Sequence, residues 1–110
     1  MLAMFLALHL LHLPTTGDEQ SLHRRVAALP QSVRELIERR AMCNHWGGEE
    51  PYDTQRRRQI EQAFADLRCA TVPGEASFLR RYFAASSEVA ELLDRTADES
   101  GWVADSSLGQ

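Results

Sequence analysis

Two cysteines, Cys43 and Cys69, stand 26 positions apart in a chain of 110 residues, and neither belongs to a C-x-x-C arrangement. Whether they are joined constrains the fold more than any other feature. A chain of this length holds one small domain, whose core alone seldom supplies a comfortable margin of stability. The cell compartment decides the question. Residues 1–13, MLAMFLALHLLHL, form an apolar run without a charged side chain, followed by Pro14, Thr15, Thr16 and Gly17. The run has the length of a signal-peptide core and falls short of the about 20 apolar residues that span a bilayer. It lacks the usual opening basic residues, and His9 and His12 interrupt it. The expectation is nevertheless a leader over 1–17, a periplasmic or secreted mature chain, and no transmembrane span in that chain. An even cysteine count behind a leader reads as one disulfide. Closing a loop of this size contributes about 3.5 kcal/mol on the chain-entropy model.

Charge narrows the partners. All basic residues are Arg, with no Lys, and 12 of them against 16 acids leave a net charge of −4, which loss of the leader does not change. Such a balance gives no electrostatic footprint for nucleic acid. No cofactor motif occurs.

Apolar spacing then predicts helices. Leu22, Val26 and Leu29 recur at i, i+4 and i+7 behind Ser21 as a possible cap, and Val33, Leu36, Ile37 and Ala41 follow Pro30 in a stripe that runs up to Cys43. NHWGGEEPYD, residues 44–53, reads as a turn-rich loop. Asp53 is a good N-cap for a helix over about 54–68, carrying Ile60, Ala63, Phe64 and Leu67. After Val72-Pro73-Gly74, the Phe78, Leu79, Tyr82 and Phe83 pattern gives a further amphipathic turn or two, read as core aromatics. Ser87 is placed to cap a helix bearing Val89, Leu92 and Leu93. No strand-like alternation occurs, so the expected class is all-α, a small bundle of three to four short helices over 18–97, with a flexible acidic tail over 98–110. A tight antiparallel hairpin would leave Cys69 roughly 22 Å from Cys43 at 1.5 Å per residue. Disulfide formation therefore requires the loop to run back along the preceding helix.

Around the first cysteine the chain reads CNHWGGE at 43–49, then RRRQI at 56–60, LRC at 67–69, and the later FLRRY and EVAELL segments. In these pieces it resembles a family of short, exported proteobacterial proteins that share C-x-H-[FW]-x-G-E and a downstream L-x-C. The match covers roughly residues 29–95. It departs where Leu79 and Tyr82 stand three apart instead of four. The resemblance implies export and a helical, disulfide-linked fold. The family carries no established activity, so the resemblance transfers no catalytic residue.

The same cluster admits three chemistries. A binding surface would comprise His45, Trp46, Glu49, Tyr52, Arg56, Arg57 and Arg58, with aromatics held on a stapled loop at little entropic cost and guanidinium forks suited to carboxylate or phosphate. Its partner would be an envelope protein or an anionic cell-envelope polymer. A metal site would use Cys43, His45, Cys69 and Glu49 or Glu50, a ligand set suited to zinc. A small hydrolase would use Glu49 or Glu50 as general acid and His45 as base. Binding is the favoured expectation, since a disulfide removes the thiols and no nucleophile accompanies the His and Glu. Positive charge in the first turn of a helix opposes the macrodipole by a few tenths of a kcal/mol. Arg56 to Arg58 therefore call for partners, which Glu61, Glu49, Glu50 or Asp53 could supply.

Overall fold

The apolar periodicities become helices in the computed structural model, which describes residues 18–98. The leader expected over 1–17, and all but the first residue of the expected tail, lie outside the described residues. Among the described residues there are five helices and no strand: α1 over 18–27, α2 Gln31–Gly47, α3 Thr54–Leu67, α4 Val72–Tyr82 and α5 Ser87–Arg95, with a 3-10 turn Cys69–Thr71 before α4. The chain is all-α, as expected. Its five helices exceed the three to four expected, because the Phe78 to Phe83 pattern belongs to a helix of 11 residues and not to a turn or two.

Several boundaries follow local chemistry that periodicity does not report. Helix α1 already covers residue 18, so Ser21 lies inside it and caps nothing. Val72, Pro73 and Gly74 open α4 instead of breaking the chain, because a proline in the first turn has no intrahelical N–H bond to lose. The cap of α5 is Ser86, one residue earlier than expected, whose hydroxyl accepts from the Val89 N–H at 3.2 Å. Asp53 caps α3 as expected, accepting from the Arg56 N–H at 2.7 Å. α3 ends at Arg68, the one non-glycine residue with positive φ among those described, at 53°. A left-handed conformation at a side-chain-bearing residue costs about 1 kcal/mol, which is why glycine usually fills this position.

The core is made by four of the five helices. Val26, Leu29, Val33, Leu36, Ile37, Ala41, Val72, Leu79, Val89, Leu92 and Leu93 form one buried cluster, with Leu22, Cys43, Ala76 and Phe83 packed against it. Burying a side chain of the Val or Leu class stabilises by about 1.5–3 kcal/mol before entropy is counted. Helix α3 contributes none of the cluster. Its one buried side chain, Ile60, lies apart from it. On α4 the expected core aromatics divide. Leu79 is buried and Phe83 partly so, whereas Phe78 and Tyr82 are exposed and stack on each other with ring centroids 5.9 Å apart. Two adjacent i, i+4 stripes compete for one buried face, and the leucine-bearing stripe occupies it.

Polar groups fix how the core helices meet. The Arg40 guanidinium crosses from α2 to donate to the Leu93 carbonyl at 2.7 Å and to the Thr96 hydroxyl at 2.9 Å. Thr96 is itself buried, and donates to the Leu92 carbonyl at 2.6 Å. Burial, and secondarily the charge of Arg80, pulls the Arg40 pKa below its ordinary value. Arg25 of α1 grips Glu88 of α5 through two nitrogens, at 2.9 and 2.7 Å, and reaches Glu91 at 3.0 Å. That hydrogen bonding holds the Glu88 carboxyl below the usual carboxylate range and raises Arg25. Arg39 of α2 pairs with Glu75 of α4, whose carboxyl is also lowered, first by the Thr71 hydroxyl and then by Arg39. Arg80 pairs with Asp94. These pairs face solvent enough to be screened, so they orient the helices more than they stabilise them.

Candidate functional site

The expected contact surface is assembled where α2 meets α3. α2 runs four residues beyond Cys43, to Gly47, so His45 and Trp46 stand on a helix and not on a loop. Neither Gly47 nor Gly48 adopts positive φ, and Gly47 still belongs to the helix, so that the chain turns only from Gly48. The irregular link shrinks to 48–53. Residues 43–49 reach both ends of α3. Cys43 is bonded to Cys69 beyond the last turn, with Cα atoms 5.7 Å apart. At the first turn, the long Arg56 side chain lies over the Trp46 ring at 5.2 Å and pairs with Glu49 at 3.2 Å. Side-chain reach at one end and a covalent bond at the other resolve the distance that a tight hairpin would leave.

Glu49 is the hub of this corner. One of its oxygens lies 3.3 Å from His45 Nε2, one turn back on the chain, and the other faces Arg56. His45 meets Trp46 edge-on, with ring centroids 5.9 Å apart. Arg56 is mostly buried by these neighbours and also donates to Gln59 Oε1 at 3.1 Å. So His45, Trp46, Glu49 and Arg56 form one interlocked group, with Arg56 spent inside it.

The remaining expected residues behave differently. Arg57 and Arg58 are exposed, and among the described residues neither makes a side-chain hydrogen bond or an ion pair. The expected Arg57 to Glu61 pair is not formed. Tyr52 is 78% exposed, and its side chain has no hydrogen-bond or ring partner among the described residues. Glu50 is exposed and stands outside the Glu49 hub.

A shallow groove runs along α3 beside Trp46, lined by Trp46, Gln55, Arg58, Gln59, Gln62 and Asp66. Sequence reasoning missed the three glutamines and Asp66. The signal that could have found them is their own i, i+4, i+7 recurrence at 55, 59 and 62, a polar stripe on a helix with little apolar content.

The alternative chemistries gain no assembled site. Cys43 and Cys69 are joined to each other, so neither thiolate is free to ligate, and among the described residues no group of three His, Cys, Asp or Glu is placed to hold a metal ion. The Glu49 oxygens are both engaged, one by the Arg56 guanidinium and the other by His45 Nε2. Among the described residues no helix is long and apolar enough to cross a membrane. No family model, curated protein or solved structure matches the chain.

Proposed function

We propose that the protein is an exported binding module of the cell envelope whose contact surface is the corner of α2 and α3, and that it belongs with the exported proteins its C-x-H-W-x-G-E segment resembles. The surface recognises a polymer carrying carboxylate or phosphate groups. The observation that carries the reading is the pair of unpartnered guanidinia, Arg57 and Arg58, the fourth and fifth residues of α3, near the end where positive charge works against the helix dipole. An anionic partner removes that cost, and a guanidinium fork matches both groups in bidentate fashion. Trp46 and Arg56 lock together and Cys43 bonds to Cys69, so the surface is preformed and loses little entropy on binding.

Two experiments test this. Titration of the wild-type chain with inorganic polyphosphate at low salt should show binding that weakens as salt screens the charges, and Arg57→Gln with Arg58→Gln should weaken it at least tenfold. Binding unchanged by the double variant rejects the surface. For export, the chain produced with its own first residues and recovered from the periplasm should have the mass of a polypeptide starting near Asp18, lighter by two hydrogens. A full-length, reduced chain in the cytoplasm rejects export.

A further inference from the structure

We propose that the groove along α3 receives an acidic polysaccharide, a chain of hydroxyl-bearing rings that carry carboxylate groups. This rests on the binding reading above and names its ligand class. The argument begins with two side-chain amides whose orientation their neighbours dictate. A guanidinium has no acceptor, so Gln59 must turn its Oε1 toward Arg56, at 3.1 Å, which leaves its NH2 group free to donate. A carboxylate has no donor, so Gln62 must turn its Nε2 toward Asp66, at 2.8 Å, which leaves its Oε1 free to accept. The two residues are three positions apart on one helix face, about 5–6 Å between Cβ atoms. The groove thus offers a neutral donor and a neutral acceptor side by side. Gln55, one turn earlier on the same face, makes no side-chain hydrogen bond among the described residues and can do either.

That arrangement answers hydroxyl groups, each of which both donates and accepts. A polyphosphate backbone is acceptor only and would leave Gln62 Oε1 without a partner. Trp46 adds an apolar wall against which the C–H face of a sugar ring can lie, and the free Arg58 adds a fork for a carboxylate. Arg58 and Asp66 stand eight residues apart, about 12 Å along the helix, and give the groove a polarity. Acidic groups belong at the Arg58 end and hydroxyls at the Asp66 end. The fold itself does not require this stripe, because α3 contributes nothing to the main core.

The test uses the disulfide-bonded chain and three probes: polygalacturonate, which has hydroxyls and carboxylates, dextran, which has hydroxyls only, and inorganic polyphosphate. Polygalacturonate should bind and shift the side-chain amide resonances of Gln55, Gln59 and Gln62. Gln59→Ala with Gln62→Ala should weaken polygalacturonate at least tenfold and leave polyphosphate within about twofold, while dextran stays much weaker than polygalacturonate. If the double variant misfolds, the amide shifts in the wild-type chain decide. Equal losses for both polyanions, or no loss and no amide shifts, overturn the polysaccharide and leave a general anion surface. Polyphosphate bound with polygalacturonate ignored has the same meaning. No binding by any probe overturns this inference together with the polymer reading on which it rests.

Discussion

The two ends of α2 are held by different means. Its first three turns lie in the cluster made with α1, α4 and α5, where Val33, Leu36 and Ile37 are almost wholly buried. Its last turn and the start of the link that follows, Cys43 to Glu49, hold α3 and its C-terminal end through one disulfide, one ion pair and one cation to ring contact. Packing makes the first region a fold. Polar side chains can occupy α3 because it adds nothing to the main cluster and Ile60 is its one buried side chain.

Substitutions should separate the two regions. Leu92→Ala in the core should lower unfolding free energy by about 3–4 kcal/mol, within the range for buried leucine truncations. Ile60→Ala should cost about half as much or less, since Ile60 lies outside the cluster. Urea denaturation of both variants checks the contrast, and equal costs would break it. Removing the clasp with Cys43→Ser and Cys69→Ser should cost about 3.5 kcal/mol on the chain-entropy model, read from the same denaturation curves. Acid acts on the core side. Glu75 and Glu88 have folded pKa values below their unfolded ones, so their contribution is present above the ordinary Glu pKa of about 4.3 and is lost as pH falls through the folded values. Urea midpoints should therefore fall below about pH 4.5, and Glu88→Gln should flatten that slope. Arg68→Gly at the end of α3 should have the smallest effect, a gain of about 0.5–1 kcal/mol from relief of the left-handed conformation.

Much of the core was legible in sequence, because Val33, Leu36, Ile37, Val89, Leu92 and Leu93 repeat at a period that only a helix satisfies. The Cys43 to Cys69 bond was expected from an even cysteine count in a chain that opens with an apolar run. Boundaries were less legible. Gly47 and Gly48 read as a turn, yet α2 continues through Gly47, whose helical cost of about 1 kcal/mol is small beside the contacts made by Trp46 and Cys43. Phe78 and Tyr82 carried the same spacing as Leu79 and Phe83, and periodicity cannot tell which of two adjacent stripes is buried. The partnership of Arg56 with Glu49 lay within the expected pairings. The freedom of Arg57 and Arg58 did not, because sequence cannot show which of three consecutive guanidinia faces the hub. Spacing places Arg40 off the apolar stripe of α2 and says nothing of its partners. Its buried bonds to Leu93 and Thr96 depend on where α5 ends, which spacing along α2 does not encode.

On the proposed reading, the exposed side chains of α3 serve contact and add little to stability. The most direct test is to measure both properties on one variant, Arg57→Gln with Arg58→Gln. Its unfolding free energy should stay within about 0.5 kcal/mol of the wild type, since the two side chains pair with nothing, while polyanion binding falls at least tenfold. A variant that loses stability and keeps binding would contradict that reading.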